Sequence, residues 1–359
     1  MLEQNFSAAV LVWFKNYGRK NLPWQQQPNA YKVWVSEIML QQTQVKTVIP
    51  YYEKFISRFP TLKSLAESSV DNVLSLWTGL GYYARARNLH KAAQIIQSDY
   101  HGIFPSLLAQ LVELPGIGLS TAGAVLSLGM GKHAAILDAN CKRVYARCYA
   151  IAGYPGRAVV AKQLWQLAEN LTPHLQTAQY NQAMMDLGSM ICIRTQPVCL
   201  KQPSLCPIHK FCQAAKTNSV LDYPEKKKAK KIPERKATFL ILIDQKNKVF
   251  LEQRPPSGIW GGLWCFPQFI DKAELFQWLK IEHISYSSEI EIKEQQHVFS
   301  HFRLKYSAFI IKSTTDKLLL SPGKVADETR NHCFAISNAL QLGLATPIKK
   351  LLQTLQNSL

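Results

Sequence analysis

The stretch LPGIGLSTAGAVLSLG, residues 114–129, followed by Asp138, decides how the N-terminal half of this chain folds. A Pro-Gly-x-Gly turn that runs straight into a helix of small residues turns backbone amides outward, and a helix N-terminus is a ready anion site. Gly116 and Gly118 therefore suit a nucleic-acid phosphate. The same turn also suits a plain helix-to-helix connection in which glycine is chosen for its backbone angles. An aspartate twenty residues past Gly118 invites a catalytic reading.

Working outward from that turn, residues 1 to about 215 read as helices of 8 to 16 residues, broken by Gly, Pro or Asn signals such as GRKNLP, RFPT, TGLG and AGYPGR. The pattern predicts an all-α domain over 1–218. The segment EKKKAKKIPERK, residues 225–236, has seven basic and two acidic residues, one proline and no apolar periodicity, so a solvated basic linker is expected over 219–236. After Lys236 the runs TFLILI, KVFLEQR and HVFSHFRLKYSAFIIK alternate like strands, with helical material near Lys272–Lys280 and at the C-terminal end, which predicts an α+β domain over 237–359.

Composition narrows the partner. At 359 residues and 47% hydrophobic content, each of two domains has enough apolar material for its own core. Forty-two basic residues against twenty-four acidic ones leave a net charge of +18, which favours a polyanion such as DNA, RNA or an acidic membrane surface through phosphate neutralisation and counterion release. No apolar run approaches the roughly 20 residues of a membrane span, and near the start the basic residues follow a short apolar run, so secretion is not expected and a cytoplasmic protein is. Of eight cysteines, Cys192, Cys199, Cys206 and Cys212 fall within one short segment. In an intracellular protein such clustering points to a metal site before disulfides. Cys141, Cys148, Cys265 and Cys333 read as buried small hydrophobes.

Residues 31–47, YKVWVSEIMLQQTQVKT, and 77–93, WTGLGYYARARNLHKAA, joined to the glycine turn and to the four-cysteine segment, resemble the helix-hairpin-helix DNA glycosylase superfamily. Within it they resemble the iron-sulfur adenine-removing branch, which acts on adenine mispaired with oxidised guanine. The resemblance implies a helix-hairpin-helix glycosylase domain followed by a Nudix-like domain, double-stranded DNA with an adenine:8-oxoguanine or adenine:guanine pair as partner, and a monomer. The run GIWGGLWCFPQF resembles a Nudix fold, but between Gly261 and Tyr286 the only acids are Asp271, Glu274 and Glu282, too few for the magnesium-holding array of a hydrolase.

Breaking a purine N-glycosidic bond requires a base that leaves neutral and a stabiliser for positive charge on the sugar, and two carboxyls in different protonation states supply both. Glu37 fits the acid: on a helix, Val33, Met39 and Leu40 surround it with apolar surface that raises its pKa. Asp138 fits the anion, as an electrostatic stabiliser or as a nucleophile forming a transient sugar ester. The plainer alternatives are a helix N-cap for Asp138 and a surface acid for Glu37. Ser120 stands where related glycosylase-lyases carry a Schiff-base lysine, so strong lyase activity is not expected. By the resemblance, Gln42 and Tyr82 intercalate into the duplex, and Asn140 and Gln182 lie near the aspartate and the base pocket.

The cysteines are separated by six, six and five residues. Four thiolates at such spacing suit an iron-sulfur cluster or tetrahedral zinc. The resemblance implies a four-iron, four-sulfur cluster, although the family has two residues between the middle cysteines where this chain has six, which keeps zinc open. The triplet Phe299-Ser300-His301 matches the family's oxidised-guanine sensing loop, while alternation of Val298, Ser300 and Phe302 also reads as ordinary sheet. Trp260, Trp264 and Phe266 read as core. The competing readings are a bifunctional glycosylase-lyase on oxidised pyrimidines, a non-enzymatic mismatch- or damage-binding protein and, more distantly, a nucleotide hydrolase.

Overall fold

The computed structural model describes residues 2–227, 232–299, 301–314 and 331–358. They divide into two compact units, Met1–Glu67 with Asn88–Lys228, and Ser68–Arg87 with Ala229–Leu359. The second unit thus takes in twenty residues that the sequence pattern assigns to the helical domain.

The helices are α1 (Leu2–Tyr17), α2 (Ala30–Leu40), α3 (Val45–Arg58), α4 (Leu62–Ala66), α5 (Val70–Trp77), α6 (Ala84–Asp99), α7 (Leu108–Val112), α8 (Leu119–Ala124), α9 (Ala139–Cys148), α10 (Ala158–Leu171), α11 (Thr177–Met190) and α12 (Gln213–Lys216). Several are shorter than their apolar pattern suggests, because caps start and stop them. Thr61 and Ser69 side chains accept amides at the heads of α4 and α5, and Asn29 does the same for α2. The main core of the first unit joins α1, α9, α10 and α11 around Phe6, Tyr145, Leu164 and Tyr180.

A smaller cluster, Val33, Ala124 and Ile136 with Leu128 and Met185, joins α2, α8, the extended chain after it, and α11. Small residues make that approach possible. A Cβ on Gly123 would sit 2.0 Å from the Ala135 carbonyl oxygen, and one on Gly129 would sit 2.8 Å from Ala30 Cα. Instead of continuing as an α-helix, α8 widens into a π-helical turn over Val125–Gly129. There Ser127 Oγ donates to Gly123 O at 2.7 Å and accepts from Asn181 Nδ2 at 2.9 Å.

The second unit is built on a mixed sheet of β1 (Glu234–Ile243), β2 (Lys248–Gln253), β3 (Trp264–Cys265), β4 (Gln268–Phe269), β5 (Tyr286–Val298), β6 (Arg303–Ser313) and β7 (Asn331–Ala335). The main path runs β3-β2-β1-β6-β5, with β4 on β1 and β7 on β2; β1 and β6 are parallel and the other pairs antiparallel. Strand β1 begins at Glu234, so the last residues of the basic segment are sheet, paired with Arg303 to Lys305. Helix α13 (Lys272–Ile281) lays Leu275 and Leu279 on Leu240, Leu242, Phe309 and Ile311. Short α14 (Ile336–Ala339) and then α15 (Thr346–Ser358), with Ile348, Leu351, Leu352 and Leu355 buried, complete the unit. Trp260, Trp264 and Phe266 are buried as expected, whereas Cys333 is only half-buried.

Candidate active site

Helix α2 presents Glu37 to a cavity of about 250 Å³ whose walls include Trp24, Val33, Ser36, Leu128 and Gln182. Its apolar walls alternate with Arg19, Lys20, Gln25, Ser36, Gln179 and Gln182, which suits a ligand with apolar faces and a polar edge. Burial first, and then the charge of Asp138, together push the Glu37 carboxyl up to about 8. The group is therefore protonated at neutral pH.

Asp138 caps α9, its Oδ1 accepting from Cys141 N at 2.7 Å, while Oδ2 accepts from Asn140 Nδ2 at 2.8 Å. The capping role and the anionic role do not compete, since two donors bind and orient a carboxylate without neutralising it. Ser120 Oγ, on α8, accepts from Leu137 N at 3.2 Å and so ties the hairpin to the residue preceding Asp138. Of the three residues assigned to the base pocket, Gln182 lines the cavity, whereas Ser120 and Asn140 lie on the Asp138 side.

Several residues that sequence reasoning missed build this site. Asp186, fully buried, receives Arg19 through its backbone N (2.7 Å), Nε (2.9 Å) and Nη2 (2.6 Å), and Gln182 Nε2 at 2.9 Å. Arg19 and Gln182 both line the cavity, so this one carboxylate fixes part of its wall. On α9, Arg143 donates to Asn140 Oδ1 (2.9 Å), Gly188 O (2.6 Å) and Cys192 O (2.7 Å), and buried Arg147 reaches Cys192 Sγ at 3.4 Å and Ile193 O at 2.7 Å. The three polar residues at i, i+3 and i+7 in NCKRVYAR were the available signal. Gly188 makes the α9–α11 crossing close, because a Cβ there would stand 2.5 Å from Asn140 Cβ. Gly188→Ala is expected to cost about 1–3 kcal/mol in urea unfolding, with a loss of activity beyond the loss of fold because Asn140 is displaced.

In the hairpin turn Gly116 has φ +78, a left-handed value, and a Cβ on it would meet Asn88 Cβ at 2.9 Å. Gly118 caps α8 with nothing within 4 Å of a Cβ position, which leaves the backbone open on that side. Gln42 is exposed just past α2 at φ +58, and Tyr82, in the second unit, is 45% exposed at φ +52. Both side chains expected to enter DNA are held outward on left-handed backbone, a strain that recurs at functional positions.

None of the four cysteines of the loop forms a disulfide. Cys199 lies within one 3₁₀ turn, Cys206 follows a second over Pro203–Leu205, and Cys212 follows a third over His209–Phe211. The extra residues between the middle cysteines are absorbed by that second turn. Burial is the main force raising the Cys199, Cys206 and Cys212 thiols, Cys206 to about 12, and the neighbouring cysteines add to it. Among the described residues, no group of three or more His, Cys, Asp or Glu side chains stands ready to hold a metal ion. The donor set itself, four thiols in mutual electrostatic reach beside Arg147, fits a thiolate-bound group that would neutralise their repulsion.

In the second unit Phe299 and His301 sit in the β5–β6 turn rather than in a strand, and Ser300 lies outside the described residues. Phe299 N donates to Phe302 O at 2.9 Å, and the two rings stack at 4.2 Å. Trp260, His297 and His301 surround that stack, and the Arg235 guanidinium lies 4.7 Å from the Phe302 ring centroid. In α13, Asp271 accepts from Glu274 N and Glu274 accepts from Ile270 N, both at the helix start, so these two acids serve as caps.

Residues 35–170 match the HhH-GPD superfamily of base excision DNA repair proteins, and residues 238–354 match the NUDIX domain. The Adenine DNA glycosylase of Buchnera aphidicola subsp. Acyrthosiphon pisum is 40% identical over the whole of both chains. That of Buchnera aphidicola subsp. Baizongia pistaciae is 41% identical, covering 97% of this chain and 95% of its own. The chain belongs to the adenine DNA glycosylase family. Among solved structures, a thermostable thymine-DNA glycosylase is 28% identical with a TM-score of 0.54, covering 60% of this chain and 97% of its own. This adenine DNA glycosylase family member therefore carries a helix-hairpin-helix fold followed by a Nudix-like one. No helix among the described residues is long and apolar enough to cross a membrane.

Proposed function

We propose that the chain is a monofunctional adenine DNA glycosylase of base-excision repair that hydrolyses the N-glycosidic bond of adenine paired with 8-oxoguanine or guanine. The observation that carries this reading is a carboxyl held protonated to about pH 8 in the wall of the cavity, within electrostatic reach of a second carboxylate fixed by two donors. Glu37 gives its proton to adenine N7, the C1′–N9 bond breaks with its electrons going to the base, and Asp138 stabilises the positive charge left on the sugar. Water then adds at C1′ and gives its proton to the Glu37 carboxylate left by the first step, which restores the acid. Ser120 carries a hydroxyl, which forms no imine with the sugar.

The extruded adenine occupies the cavity beside Glu37 and Gln182, and the amides around Gly116 and Gly118 hold a phosphate. Gln42 and Tyr82 enter the stack, and the Phe299-Ser300-His301 turn reads the oxidised guanine. The helical residues 1–218, apart from the Ser68–Arg87 segment, form the catalytic domain, and the sheet-bearing unit from β1 onward, with that segment, forms the recognition domain of a cytoplasmic monomer. Cys192, Cys199, Cys206 and Cys212 hold a four-iron, four-sulfur cluster whose role is to fold a basic loop against DNA; zinc is the alternative. Elemental analysis of purified protein is expected to find iron with acid-labile sulfide, and one zinc without sulfide would replace that assignment.

Single-turnover incubation with a duplex carrying one adenine opposite 8-oxoguanine tests the whole reading. Strand breaks only after alkali are the expected result. Breaks without alkali would indicate a lyase, and tight, salt-sensitive binding with no base release would indicate a damage-binding protein.

A further inference from the structure

Residues Ser68–Arg87 leave the helical pattern around them and pack with the sheet-bearing unit. Polar contacts among the described residues make the attachment. Gln253 Nε2 donates to Asp71 Oδ1 at 2.7 Å, Leu344 N donates to Thr78 Oγ1 at 3.3 Å, Tyr83 Oη donates to Leu344 O at 2.8 Å, and Arg87 Nη1 donates to Gly261 O at 2.6 Å. The backbones approach closely as well: a Cβ on Gly343 would stand 2.8 Å from Cβ of fully buried Leu74. Asp71 and Arg87 bracket the segment, and burial shifts both toward their neutral forms, upward for the acid and downward for the base.

Between these anchors the chain exposes Tyr82. Its ring lies 5.4 Å from the Arg85 guanidinium, which in turn lies 5.5 Å from the Trp77 ring. The neighbouring Tyr83 turns the other way, its hydroxyl also accepting from Gly79 N at 3.4 Å. One tyrosine faces out and the next is fastened to Leu344, so the position of the first depends on the attachment of the second.

We infer that Tyr83, together with Asp71, is a positioning residue that fastens the Tyr82 wedge to the body carrying the Phe299 and His301 turn, so that wedge and turn act as one reader and set the discrimination between 8-oxoguanine and guanine. This rests on the roles proposed above for Tyr82 and for that turn. Two groups that read the same base from one rigid body lose no freedom relative to each other on binding, whereas a loosened wedge must be ordered each time.

The test uses full-length, cofactor-loaded protein and measures single-turnover adenine release opposite 8-oxoguanine and opposite guanine. Tyr83→Phe keeps the ring and removes the hydroxyl. The ratio of the two rates is expected to fall about fivefold, with no further fall when the substitution is made in a Tyr82→Ala background. Asp71→Ala removes a different anchor and is expected to act in the same direction, while Asp71→Asn, which still accepts from Gln253, restores the ratio. An unchanged ratio in both Tyr83→Phe and Asp71→Ala, or effects that add to Tyr82→Ala, would overturn the inference. If Tyr82→Ala itself changes neither rate, the wedge role fails and the inference falls with it, a result distinct from the first.

Discussion

Glu37→Gln is expected to bind the adenine-mispaired duplex as the native protein does and to release base about 10²- to 10⁴-fold more slowly. Gln matches Glu in shape, so the cavity keeps its form; what is lost is the proton that lets adenine leave neutral. In the native protein, release should decline as pH rises through about 8, because burial and then the Asp138 charge hold the proton on Glu37 up to that point. Stability follows the same group. The folded state binds a proton that the unfolded chain has given up above its ordinary value of 4.5, so stability falls as pH rises from there to about 8. Replacing the acid with an amide removes that slope, and above about pH 8 the variant should be more stable by roughly 1–2 kcal/mol. Single-turnover rates and urea midpoints measured across that range check both statements. A rate close to native in Glu37→Gln, or a flat native pH profile, would remove Glu37 from the acid role.

Local pattern carried part of this site in the sequence and tertiary contact carried the rest. Glu37 was legible because its apolar neighbours lie on the same short helix, and Asp138 because a helix start announces its cap. The glycine turn was legible because φ +78 and a 2.9 Å approach to Asn88 Cβ together favour glycine at 116. The Arg19–Asp186 pair was not, since its partners are 167 residues apart and neither belongs to a motif. Within the π-helical turn after α8, Ser127 accepts from Asn181, 54 residues downstream, a contact that no local pattern announces. For the same reason the Ser68–Arg87 segment read as one more part of the helical domain: its amphipathic pattern states that α5 buries one face, and says nothing about Gly343 and Gln253 lying on the other side of that contact. The clustering of four cysteines was legible in the sequence, but the 3₁₀ turn over Pro203–Leu205 between the middle pair required the backbone.

Asp138→Asn separates the helix cap this carboxylate forms from the charge stabilisation proposed for it. An asparagine side chain is as good an N-cap as an aspartate and its oxygen can still accept from Cys141 N, while only the bond from Asn140 Nδ2 is lost, so the helical unit should lose no more than about 1–2 kcal/mol. The charge is gone, however, and with it the stabilisation proposed for a developing cation. Removal of one such preorganised group costs about 10²- to 10³-fold in rate. A second consequence follows from the coupling to Glu37. Because the Asp138 charge is one of the two causes that raise the Glu37 carboxyl, its loss should move the alkaline limb of the remaining activity to lower pH. Residual base release in Asp138→Asn, followed against pH, would therefore show both a lower plateau and an earlier decline. An Asp138 that served only as a cap would give the asparagine variant a native plateau, and a stabiliser too distant to touch Glu37 would lower the plateau while leaving the limb in place.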